Sequence, residues 1–191
     1  MKQGEQTKLS IIKAANKLFY QQGFHKTAFS DIVKEVGLSK GNITYHFKSK
    51  DDILTAVIEH RVERTKQILT TWDQDYANAD TRLLCFIDSL IDGKSALTRY
   101  GCPNGTLASE LGKSNELTRQ LSHRVFDLIR QWLSTQFLAL GYSSEQANDR
   151  ALDLFTRGQG ICVLAQVYND EDIFELQVNH LKALVSEKIN S

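Results

Sequence analysis

The run from Phe29 to Lys48 constrains the fold of this chain more than any other stretch. Ile32, Val33 and Val36 are apolar at helical spacing, Gly37 and Leu38 interrupt them, and Ile43 and Phe47 resume the pattern. Two short helices about a tight break read as a helix-turn-helix. Ser39 is a good N-cap, so the second helix is expected to begin at Lys40 and to present Lys40, Gly41, Asn42, Thr44, Tyr45 and His46 at its exposed first turns. Such a helix fits a DNA major groove. Gly41 would let the backbone approach phosphates or base edges closely, Thr44, Tyr45 and His46 supply donors, and Lys48 and Lys50 add cations beyond them. The same residues also suit a small helical hairpin with an ordinary polar face.

One proline in 191 residues, with frequent Leu, Ala, Lys, Glu and Gln, predicts an all-α protein, and 41% hydrophobic residues suffice for a packed core. The net charge is zero, which taken alone argues against nucleic acid. Its distribution argues the other way. Residues 1–50 hold nine lysines against Glu5, Asp31 and Glu35, a local charge of +6, and the rest of the chain carries −6. A basic N-terminal third on an acidic body is the footprint of one DNA-facing module. No apolar run approaches the ~18 residues of a membrane span, and Cys85, Cys102 and Cys162 have neither disulfide nor zinc spacing, so a cytoplasmic protein is expected. His25, His46, His60, His123 and His180 show no metal-binding spacing, and there is no nucleotide-binding glycine loop; no metal or cofactor is expected.

In chain order, a first helix is predicted over Thr7–Gln22, ended by Gly23, with Thr27 before the next helix, placed either to bind phosphate or to close a turn. Ser49–Asp52 matches a capping box opening a long helix to about Tyr76. Lys50 in its first turn is electrostatically odd, and a DNA phosphate there would explain it. A helix over 80–97 follows, then the turn Arg99–Gly105, a short segment over 106–111, and an amphipathic helix from Asn115 to Leu140 carrying Leu117, Leu121, Val125, Leu128, Ile129, Trp132, Leu133 and Phe137. A second capping box, Ser143–Gln146, opens a helix to about Tyr168, and a last helix reaches about Ile189, for about nine helices. The final two are the expected dimer seam, through Phe155, Gly158, Ile161, Cys162 and Ala165 on one and Phe174, Val178, Leu181 and Val185 on the other. The same periodicity fits helices that merely complete the monomer core. The expected domains are a DNA-binding unit over 1–48 and a ligand-binding and dimerisation body over 49–191.

Ala14, Ala15, Leu18–Phe19, Gly23–Phe24, Thr27, Ile32, Val36–Ser39, Gly41, Tyr45–Phe47, Lys50 and Leu54 agree in order and spacing with the DNA-binding domain of the TetR family of bacterial transcriptional regulators. This chain resembles that family over about 45 residues, with Val33 departing from its usual alanine. The resemblance implies a homodimer of all-helical subunits, a ligand cavity in the body, and a palindromic operator whose half-sites lie ~34–36 Å apart. It implies DNA contacts from Thr27, Ser39, Lys40, Gly41, Thr44, Tyr45, His46 and Lys50. In this family the outcome is most often repression, relieved by an effector. Gly101–Leu111 is similar to a Gly-Cys segment of a subgroup, lying before the sixth predicted helix, in which some members respond to electrophiles or oxidants through that cysteine.

Cys102 precedes a short helix whose N-terminal dipole would favour a thiolate, so it is a candidate sensor; the alternative is a packing or pocket-lining cysteine with no redox role. Trp72, Phe86, Cys102, Phe126 and Gln159 are the expected lining of an apolar or aromatic effector's pocket. Two other readings remain open: a cysteine enzyme built on Cys102, and an architectural DNA-binding protein without an effector.

Overall fold

The structure, a computed structural model, describes residues 3–112 and 116–190. Among them run ten helices and no strand: α1 (Gln3–Gln22), α2 (Phe29–Val36), α3 (Lys40–His46), α4 (Lys50–Asp75), α5 (Ala79–Asp92), α6 (Lys94–Tyr100), α7 (Pro103–Leu111), α8 (Glu116–Ala139), α9 (Ser144–Tyr168) and α10 (Glu171–Asn190). The all-α expectation holds. The helix expected over 80–97 is two, because Gly93 ends α5 with its N–H on the Ser89 carbonyl and α6 starts afresh beyond it. Within the Gly-Cys segment, Gly101 and Cys102 therefore precede the seventh helix and the rest forms it. That helix begins at Pro103, three residues earlier than expected, since proline lacks the N–H that a first helical turn leaves unbonded anyway. Asn115, the expected start of α8, and the side chains of Leu117 and Leu121 lie outside the described residues.

The chain divides into two compact units, Met1–Arg64 with Thr106–Arg124, and Thr65–Gly105 with Val125–Ser191. This is not a division at residue 48. The first unit recruits α7, whose Leu107 and Leu111 are buried beside Ile11, Ala15 and Phe19 of α1, Ile32 of α2, Ile43 of α3 and Ile53, Leu54 and Val57 of α4. A three-helix head alone would bury too little, and each such large apolar side chain contributes about 1.5–3 kcal/mol. The turns are specified locally. Gly37 ends α2 in the left-handed region at φ 70° with its N–H on the Val33 carbonyl, and Ser39 caps α3 by accepting the Asn42 N–H at 3.3 Å. At the start of α4 the expected box is present: Asp52 N–H donates to Ser49 Oγ at 3.1 Å, and Ser49 N–H to Asp52 Oδ2 at 3.0 Å.

In the second unit α10 packs on α5, α6 and α9, and α6 packs on α9. Ser143 and Gln146 form the expected reciprocal cap of α9, and Asn169 ends that helix in the left-handed region at φ 51°. The core here corrects the expected dimer seam. Phe155, Gly158, Ile161, Cys162 and Ala165 of α9 and Phe174, Val178, Leu181 and Val185 of α10 are all buried within the chain's own fold. They form the single stripe that each helix turns toward its intramolecular neighbours, so the monomer-core alternative describes these nine residues. No helix among the described residues is long and apolar enough to cross a membrane.

Candidate nucleic-acid interface

α3 separates its side chains cleanly. Ile43 and Phe47 are buried in the core of the first unit, whereas Ser39, Lys40, Gly41 and Asn42 are exposed and Tyr45 is 78% exposed. A tyrosine so bare has no packing role within the chain, and it stands edge-on to His46 with ring centres 5.1 Å apart. The Thr44 hydroxyl donates to the carbonyls of Lys40 and Gly41 at 3.1 Å, and Lys48 Nζ donates to the Thr44 carbonyl, so both have local anchors besides an outward face. Gly41 is the telling residue. A Cβ built on it would meet only Ser39 Oγ at 3.9 Å, and its φ does not require glycine. Glycine inside a helix costs about 0.5–1 kcal/mol relative to alanine, and nothing inside the chain explains that cost.

Two expected phosphate contacts are placed differently. Thr27 is fully buried, and its hydroxyl donates to the Gly23 carbonyl at 2.7 Å, closing the turn after α1; the turn-closing alternative describes it. Lys50 turns inward. Its ammonium donates to the carbonyls of Phe24 and Thr27, both at 2.9 Å, and lies 4.2 Å from the centre of the Phe24 ring. These partners resolve the oddity of a cation in the first turn of α4 without any phosphate.

The five expected pocket residues all belong to the second unit. Trp72 stacks obliquely on Trp132 at 5.6 Å, Phe126 meets Phe155 edge-on at 5.2 Å, and Phe86 is buried in the same apolar cluster, with Cys102 packed against it. A Cβ on Gly105 would sit 2.8 Å from Gln159 Oε1 and 3.3 Å from Cys102 Cβ, so glycine at 105 leaves both side chains the room they occupy. The Cys102 sulfur accepts the Gly105 N–H at 3.4 Å. Burial, with Cys102 adding to it, pushes the Cys162 thiol up to about 12. Two clefts on this unit, one including Phe137, Tyr142 and Arg150 and one including Gly160, Leu164 and His180, are lined by none of the five.

A second apolar surface escaped the reading of the sequence. Val163, Leu164, Val167 and Tyr168 of α9 and Leu176 and Leu184 of α10 are exposed, Val167 at 72%. Its signal was present, as two apolar doublets four residues apart, but the stronger internal stripe of α9 overshadowed it.

Comparison with known proteins agrees with this geometry. Residues 11–57 match the family model of bacterial regulatory proteins of the tetR family, and residues 86–180 match that of the LmrA/YxaF-like transcriptional regulator C-terminal domain. The fatty acid metabolism regulator protein of Bacillus subtilis is 32% identical, with 97% of each chain covered. A helix-turn-helix regulator from the lacX 3′ region of Lactococcus lactis is 29% identical, covering 92% of this chain and 91% of that one. A TetR transcriptional regulator from Legionella pneumophila shares the fold with a TM-score of 0.79 at 24% identity, over 92% of this chain and 95% of that one. Joined to a capped helix-turn-helix and an all-helical body, these matches show that the chain is a transcriptional regulator belonging to the TetR family.

Proposed function

We propose that this regulator binds a palindromic operator as a homodimer, most simply as a repressor, and is released by a signal received in the helical body. The observation that carries the DNA reading is α3: a basic, outward-facing first turn with an internally unexplained glycine at 41 and a bare tyrosine at 45. Lys40, Gly41, Asn42, Thr44, Tyr45 and His46 would meet DNA, Ser39 would hold the helix start, and Lys48 would flank it, while Thr27 and Lys50 act beneath them by shaping the turn. The exposed strip of Val163, Leu164, Val167, Tyr168, Leu176 and Leu184 supports a dimer interface, since patches of this kind on a soluble chain mark association. The aromatic cluster around Trp72, Trp132, Phe86 and Phe126 supports an apolar or aromatic effector, and a half-buried Cys102 at the start of α7 supports an electrophile as one form of it. By linkage, the effector must bind the DNA-incompetent state more tightly, and DNA must weaken effector binding by the same factor.

The test is a mobility shift on DNA upstream of the protein's own gene, with and without a thiol-reactive quinone. A specific shift, lost with quinone and kept under quinone in Cys102→Ser, is the expected result for a thiol signal; a shift indifferent to quinone leaves a reversible ligand. Lys40→Ala should weaken binding to all duplexes and reduce the salt slope by about one. No preference for any duplex over random sequence would overturn the regulator reading in favour of an architectural protein.

A further inference from the structure

The loop between α1 and α2 is held by groups from far along the chain. After α1 ends at Gln22, Gly23 takes φ +90°, and the next two backbone N–H groups, of Phe24 and His25, turn to one side. Both donate to one carboxylate, Phe24 N–H to Glu110 Oε2 at 2.9 Å and His25 N–H to Glu110 Oε1 at 2.7 Å. Successive N–H groups beside a left-handed residue form an anion cradle, and here the anion is a side chain of α7. Gly23 is doubly required, because a Cβ there would lie 3.1 and 3.2 Å from the two Glu110 oxygens. The Lys50 ammonium donates to the carbonyls of Phe24 and Thr27 in the same loop. The loop is thus held by one anion on two of its N–H donors and one cation on two of its carbonyl acceptors. Leu107 and Leu111, one turn apart on α7 and buried in the same unit, fix the helix that delivers Glu110.

We propose that Glu110, which lies outside the helix-turn-helix in sequence, is a positioning residue for operator recognition: it sets the α1–α2 loop and through it the attitude of α2 and α3. The inference rests on the DNA-binding reading of α3. Charge alone predicts the reverse effect, which makes the proposal sharp. Removing a carboxylate from a unit that meets phosphates should tighten binding to every duplex, whereas loss of positioning should weaken binding to the right sequence only.

The experiment uses the full-length chain and a duplex that the wild-type protein itself selects from a random-sequence pool, with a scrambled duplex beside it. Glu110→Gln keeps the size but only one acceptor, and Glu110→Ala keeps neither. Glu110→Ala is expected to bind the selected duplex about ten-fold more weakly, the worth of roughly one charge-assisted hydrogen bond, with scrambled-duplex binding unchanged or tighter and Glu110→Gln in between. Amide exchange at Phe24 and His25 should quicken in both variants while that of α1 and α3 is kept. Equal or tighter binding to both duplexes, or unchanged exchange at Phe24 and His25, overturns the positioning role while leaving α3 as the reading element. If Glu110→Ala fails to fold, the isosteric Glu110→Gln decides by the same two readouts. Failure of the wild-type protein to select any sequence removes the DNA reading, and this proposal with it.

Discussion

α3 and α9 are both amphipathic, yet their second faces differ in kind. On α3 one face is apolar and buried, and the other is polar, basic and bare, so the apolar period alone tells which side is free for a partner. α9 carries two apolar stripes in its C-terminal half. Ile161, Cys162 and Ala165 are buried within the chain, and Val163, Leu164 and Val167 face out. Hydrophobic spacing reports what must leave water, not which chain covers it. The better-formed stripe is buried internally, and the weaker one stays exposed on the chain.

The largest effect expected from this contrast is in the internal stripe. Phe174, fully buried, should lose about 3–5 kcal/mol of stability on Phe174→Ala, read from urea unfolding. A loss below ~1 kcal/mol would mean that α10 is not held by this core. The outer stripe should behave oppositely. Leu164→Glu with Val167→Glu should raise the dimer dissociation constant roughly 30-fold or more, about 2 kcal/mol, with the helical circular dichroism retained. Sedimentation showing an unaltered oligomeric state would send the dimer interface elsewhere.

Gly41→Ala should separate stability from function on α3. The helix gains about 0.5–1 kcal/mol because alanine restricts the unfolded chain and has room at this position. DNA binding should weaken, because a methyl group now stands where a phosphate or base edge must approach. Equal binding by the alanine variant would strip Gly41 of its external role. The smallest effect concerns His60, whose pKa burial holds below its ordinary 6.5, with Lys13, Arg64 and Arg61 adding to it. Between the folded and ordinary values the unfolded chain binds more protons than the folded one. Stability should therefore fall slightly as pH drops through that window and stay level above it. His60→Gln should flatten this dependence in urea midpoints taken at about pH 7.5 and about pH 5.5. An unchanged or steeper fall in the variant would show that His60 does not carry this dependence.

The sequence by itself determined the all-α class and most of the helices, the caps at Ser39, Ser49 and Ser143, the turn at Gly37 and the outward face of α3. These depend on neighbours within a turn or two, so local chemistry is enough to read them. Gly93 was legible as a residue but not as a break, because the apolar spacing continues across it. Only the tertiary structure decided that Thr27 and Lys50 are spent inside the loop and that the expected seam of α9 and α10 is core. It also joined α7 to the DNA-facing unit and brought Glu110 onto the N–H groups of Phe24 and His25. Each of these turns on which distant group reaches a polar atom or apolar face first. The sequence separations of 85 and 86 residues between Glu110 and its two partners leave no periodic trace in the chain, since that contact follows from how buried helices pack rather than from any local pattern.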